Sequence, residues 1–159
     1  LDIDGDGNVD LAVLRLGENV LLKGRGDCTF EKANRLWRFD GGRAWTTGFS
    51  ATWETGAQFP TLAFVNYIDR TAPGSPWGTC EANLLARAGE GALPDYGLPQ
   101  SLEPGHCALS ALFTDWNNGG EPALRITNDR QYYRGGEEQL CFRALRYSAL
   151  NPAGRTAYT

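Results

Sequence analysis

The chain has no Met, a single His at position 106, and four Cys with no two in CxxC spacing. Zinc centres draw on clustered Cys and His, so this inventory excludes one. No Gly-x-Ser-x-Gly elbow occurs, and one His without a nucleophile motif cannot supply a hydrolase triad. No apolar run approaches the roughly 18 residues that a membrane-spanning helix needs. Lys and Arg are scattered and the net charge is -4, which leaves no basic face for nucleic acid. Apolar residues do not recur at a 3.6-residue period over any useful length, which excludes helical solenoids.

What is abundant points the other way. Among 159 residues there are 20 Gly, eight Pro, five Trp, six Tyr and seven Phe, the composition of a turn-rich, aromatic-rich all-β domain with one core. Cys28, Cys80, Cys107 and Cys141 form an even set, open to disulfides in an oxidising compartment or to buried thiols. The chain opens at Leu1 inside its densest motif, so it is expected to be a piece of a longer chain whose export signal lies upstream.

That motif is Asp2-Ile3-Asp4-Gly5-Asp6-Gly7-Asn8-Val9-Asp10, followed by Leu11-Ala12-Val13-Leu14. Carboxylates at alternate places, with Gly7 allowing a sharp bend, let Asp2, Asp4, Asp6 and Asp10 converge on one point, and Asn8 adds a backbone carbonyl. Calcium takes six to eight such oxygens at about 2.3 to 2.6 Å. An EF-hand needs Glu at the twelfth place and flanking helices, whereas Val13 stands there and an aliphatic run follows, so the loop feeds a strand. The alternative is an Asp/Gly-rich turn with solvated carboxylates. Mutual repulsion of four unneutralised carboxylates favours a cation.

Three strand starts align at Asp10-Leu-Ala-Val, Thr61-Leu-Ala-Phe and Ala123-Leu-Arg-Ile. Downstream of each comes an amide, two apolar places, a variable place and a cation: Asn19 to Lys23, Asn83 to Arg87, Gln139 to Arg143. Glycine turns follow the first two, at Gly24-Arg25-Gly26 and Gly89-Glu90-Gly91. Strand, loop, strand, turn, strand at a period of roughly 50 to 60 residues predicts β-propeller blades, each a four-stranded antiparallel sheet. Approximate repeats cover 1–50, 51–112 and 113–159, about two and a half to three blades and fewer than closure requires. The remaining blades are expected from the same chain or from other copies. Glu31 to Arg38 is read as a blade connection, the one stretch able to form a short helix.

The aspartate loop, the Asn-x-Leu-x-x-x-x-Gly-x-Gly run and Gly26-Asp27-Cys28-Thr29-Phe30 resemble FG-GAP repeats, the calcium-loop blades of integrin α-chain propellers and of bacterial VCBS-type propellers. The run from Phe113 to Arg130 is similar to repeats in the cartilage acidic protein group and its bacterial relatives. The resemblance implies an intact calcium site at Asp2, Asp4, Asp6 and Asp10. The corresponding places in the second repeat are Trp53, Thr55, Ala57 and Thr61, with Glu54 adjacent; in the third they are Asp115, Asn117, Gly119 and Ala123. A weak second metal loop at Asp115 and Asn117 is the most the third repeat allows. By the same resemblance the module is extracellular or periplasmic, non-enzymatic, and binds a protein or glycan ligand on one propeller rim. An accessory subunit of a large assembly and a lectin-like carbohydrate binder are the alternatives.

Further candidates compete with plainer roles. Trp37, Trp45, Trp53, Trp77 and Trp116 invite sugar stacking, with Trp77 in a Pro/Gly loop the best placed, while aromatics also fill the space between blades. Tyr132 and Tyr133 sit in a polar-aromatic stretch of the kind enriched at interfaces. Arg25-Gly26-Asp27 spells an adhesion tripeptide already accounted for by the repeat turn. The acid pairs Asp95/Glu103 and Asp129/Glu137 are expected by chance among 19 acidic residues.

Overall fold

The computed structural model describes residues 1–75, 79–103 and 105–129, and the backbone of 139–142. Trp77, Tyr132, Tyr133 and Glu137 lie outside the described residues. All regular structure among the described residues is β, in three antiparallel sheets.

The first sheet holds β1 (Leu11–Val13), β2 (Val20–Gly24) and β3 (Phe30–Lys32) in that order. The second holds β4 (Thr46–Thr52), β5 (Thr61–Asn66), β6 (Asn83–Ala86) and β7 (Gln100–Leu102), also in chain order. The third pairs β8 (Ala108–Thr114) with β9 (Ala123–Asn128), and β9 with β10 (Gln139–Phe142). Each sheet is therefore a meander whose neighbours in sequence are neighbours in space. The stretch Glu31 to Arg38 is not a helix: its start finishes β3 and the rest is a turn, closed where Trp37 N–H donates to the Ala33 carbonyl and Phe39 N–H to that of Asn34.

The alternation of side chains along β5 explains how the sheets stack. All six residues of β5 are buried, although successive side chains point to opposite faces. Leu62 and Phe64 join Ile3, Leu21, Trp37, Phe39 and Tyr96 in one core cluster, against the first sheet. Ala63 and Val65 join Leu85, Ala108, Leu124 and Ile126 in another, against the third. The second sheet is thus covered on both faces, which for an antiparallel sheet requires layers on either side. Between the second and third sheets, Thr47 Oγ1 donates to the Ala108 carbonyl at 2.6 Å and Phe113 N–H donates to Ser50 Oγ at 2.9 Å, so β4 and β8 lie close together.

The outer faces differ. On β1, Ala12 packs inward while Leu11 and Val13 are exposed; on β9, the outward residues are Arg125 and Thr127. A disulfide joins Cys80 and Cys107, whose Cα atoms are 4.7 Å apart, tying the segment before β6 to the start of β8. Cys28 is a free, exposed thiol. No helix among the described residues is long and apolar enough to cross a membrane.

Candidate metal centre

The aspartate loop closes on itself just ahead of β1, where Asp10 N–H donates to the Leu1 carbonyl at 2.6 Å. Backbone donors then fix Asp2 and Asp10 with two hydrogen bonds each. Asp2 accepts from Gly5 N–H at 2.8 Å and Gly7 N–H at 3.0 Å. Asp10, 1% exposed, accepts from Ile3 N–H at 2.6 Å and Gly24 N–H at 2.8 Å, which locks the loop to the end of β2. Gly7 has φ +86°, in the left-handed region, so the bend that brings its N–H onto Asp2 needs glycine. Gly24 is constrained by space instead: a Cβ there would lie 2.2 Å from the Val9 carbonyl oxygen.

Asp2, Asp4 and Asp10 each present one carboxylate oxygen, all within 4.8 Å of one another. At an effective dielectric near 20, each such pair of like charges costs about 3 kcal/mol, less where water reaches it. Asp4 is the unresolved member. Its side chain is 2% exposed, its Oδ2 accepts from the Lys23 ammonium, and its Oδ1 is buried without a partner. A buried carboxylate oxygen left bare is expensive, and Asp2 and Asp10, both carboxylates, offer no proton to it. A cation satisfies all three. The donors are oxygens only, the set that hard cations such as calcium prefer.

Asp6 stands apart from that triad. Lys23 Nζ donates to its Oδ2 as well as to Asp4, and Asn8 N–H donates to its Oδ1 at 2.8 Å. The Lys23 hydrogen bond and then the Asn8 backbone N–H hold the Asp6 carboxyl below the usual range. For Lys23, desolvation pulls the pKa down, but the bonds to Asp4 and Asp6 outweigh it and the net direction is upward, so the ammonium stays charged. Asn8 packs with its side-chain oxygen against Gly26. Tyr96, inside the adjoining core, has its phenol pushed up by burial and then by the Asp10 carboxylate, and its hydroxyl donates to the Pro60 carbonyl at 2.9 Å.

The two later loops keep the turn and lose the cluster. Asp115 accepts from Gly119 N–H and Gly120 N–H, both at 2.8 Å, much as Asp2 accepts from two backbone donors further along its own loop, Gly5 and Gly7. Asn117 accepts from Gly119 N–H at 3.1 Å, and no group of three ligating carboxylates forms there among the described residues. In the second loop, Thr61 Oγ1 donates to Glu54 Oε1 at 2.6 Å and Arg87 Nε donates to the same oxygen at 2.7 Å. Sequence spacing could place Glu54 near that loop but not identify its partner, because Arg87 lies 33 residues on, just past the end of β6.

Away from the loops, Arg25 pairs with Glu31 and Asp27 accepts from Thr29 N–H and Oγ1, so the tripeptide is held within its own turn. Asp95 pairs with Arg38 at 2.8 Å. Trp37 is fully buried in the core, whereas Trp45, Trp53 and Trp116 are exposed at the surface. A cleft of about 470 Å³ opens beyond the far ends of β1 and β5, opposite the loop end, with Trp45, Arg43, Arg70, Asp69 and Glu81 on its walls. Trp45 is held edge-on to Tyr67, ring centroids 5.2 Å apart, and the Leu16–Trp45 bridge fixes its backbone. Burial and then Asp69 raise the Glu81 carboxyl. Comparison with protein-family models and with characterised proteins found no match for this chain.

Proposed function

We propose that this chain is a run of calcium-stapled β-propeller blades of the FG-GAP kind, exported from the cell, that acts as a non-enzymatic binding module. The observation that carries the metal half is the partnerless, buried Oδ1 of Asp4, a residue that converges with Asp2 and Asp10. Asp2, Asp4 and Asp10 would hold the ion, with Asp6 and the Asn8 carbonyl completing the shell. When bound, the ion supplies positive charge that neutralises the loop and offsets the cost of ordering a glycine-rich turn.

The blade reading is supported by three face-stacked meanders and by the close approach of β4 and β8, the leading strands of adjacent sheets. The exposed Leu11 and Val13 on β1 suit a further blade, from this polypeptide or another copy. The Cys80–Cys107 disulfide fits an oxidising, extracellular or periplasmic location. Ligand recognition belongs to the cleft opposite the loop, where an exposed indole stands among charged side chains, a mixture suited to a protein or glycan. A ligand seated there changes Trp45 fluorescence, and loss of the change in W45A checks the placement.

Calorimetric titration of chelator-stripped protein with calcium tests the metal half. One site per chain, absent from the Asp4→Ala/Asp10→Ala double variant, is the expected result. No heat with a correctly folded chain contradicts it.

A further inference from the structure

Lys23 and Arg87 occupy the same place in two successive repeats, four residues after Asn19 and Asn83, whose side-chain oxygens each accept a backbone N–H at 2.9 Å, from Arg15 and from Asn66. Both cations reach into the loop of their own sheet: Lys23 to Asp4 and Asp6, Arg87 to Glu54. The structure assigns to this repeat position a built-in counter-ion. We propose that the Lys23 ammonium competes with the metal for Asp4 and Asp6 and so sets the metal affinity of the first loop, while Arg87 replaces the metal outright in the second.

The inference rests on the metal reading of the first loop and deepens it. With Lys23 in place, the oxygens free to converge come from Asp2, Asp4 and Asp10, and Asp6 is turned to the lysine. Three carboxylates are few for calcium, whose affinity follows the number and charge of its ligands. Recruiting Asp6 requires the ammonium to leave, because one cation must yield the carboxylate to the other. Lys23 is suited to leaving: it is a point charge on a flexible stem, its side chain 19% exposed. Arg87 is suited to staying. Its planar guanidinium donates to Glu54 and, through Nη1, to Gln100 at 3.1 Å, and Thr61 donates to the same Glu54 oxygen. The places matching Asp4 and Asp6 are Thr55 and Ala57, so that loop has no ligand set for a metal to win.

Calcium calorimetry on the K23M variant tests the competition, because Met keeps the apolar stem and removes the charge. The expected result is a calcium dissociation constant lowered by about tenfold or more, with a lower melting temperature in chelator, where the carboxylates lose their only counter-ion among the described residues. An unchanged or weakened affinity overturns the proposal. R87M separates the second loop: its melting temperature should fall by the same amount in calcium and in chelator, and a fall abolished by calcium overturns the assignment. Absence of calcium heat in both wild type and K23M defeats the metal reading itself, and is distinguishable from heat that K23M leaves unaltered, which defeats only the competition.

Discussion

Single atoms decide where this molecule is well satisfied and where it is not. Asn19 Nδ2 donates across to Thr46 Oγ1 at 2.8 Å, and that hydroxyl donates on to Asn66 Oδ1 at 2.7 Å, so a buried polar chain joins the first two sheets. The matching amide in the second sheet is Asn83, 1% exposed, whose Nδ2 has no partner. The reason is one side chain. Thr46 pairs with Asn66 across its ladder as Ala108 pairs with Asn128, so the place that carries a hydroxyl at the first junction carries a methyl at the second. Leaving a buried donor unmade costs about 1 to 3 kcal/mol. Ala108→Ser should therefore raise stability by about 1 kcal/mol in denaturant unfolding, and a loss of stability would show that the hydroxyl finds no place beside Asn83. Nothing in the residue order marks Asn83 as deprived, since its partner site belongs to a strand that joins another sheet.

At the scale of the element, the strands after each loop were legible because their aliphatic runs and following amides repeat. Leu11–Val13, Thr61–Asn66 and Ala123–Asn128 begin where the three aligned runs do, and Val20–Gly24, Asn83–Ala86 and Gln139–Phe142 fall on the amide-to-cation segments. The leading strands β4 and β8 were not legible. Thr46–Thr52 has a single large residue, Phe49, and in Ala108–Thr114 the large Leu109 and Leu112 face outward, while the two strands meet through shared hydrogen bonds. Disulfide pairing was equally hidden, as four cysteines allow three connectivities. The Cys80–Cys107 bond spans 27 residues, and in the chain-entropy account a loop of that size contributes about 3.5 kcal/mol. The Cys80→Ser/Cys107→Ser variant should lose about that much in chemical unfolding, while Cys28→Ser, an exposed free thiol, should lose little. Equal losses would contradict the assignment of Cys28 to the surface.

Over the whole molecule, the aspartate loop and the cleft stand at opposite ends of the strands. The aspartate loop precedes β1 and touches the core through Ile3 and Asp10, while the cleft lies beyond Asn19 and Asn66, at the other end of the strands. A cation at one end can thus stiffen the first sheet without entering the cleft at the other. The aspartate spacing made the loop visible, and the Lys23 bridge to Asp4 and Asp6 was invisible because it depends on how β2 lies beside the loop. The direct test of the account is the melting temperature of chelator-stripped protein as calcium is restored. Binding to the native loop alone stabilises by about 2.7 kcal/mol when calcium exceeds its dissociation constant a hundredfold, so the melting temperature should climb with calcium and stay flat in the Asp4→Ala/Asp10→Ala variant. A wild-type melting temperature indifferent to calcium would contradict the claim that this loop is a metal staple.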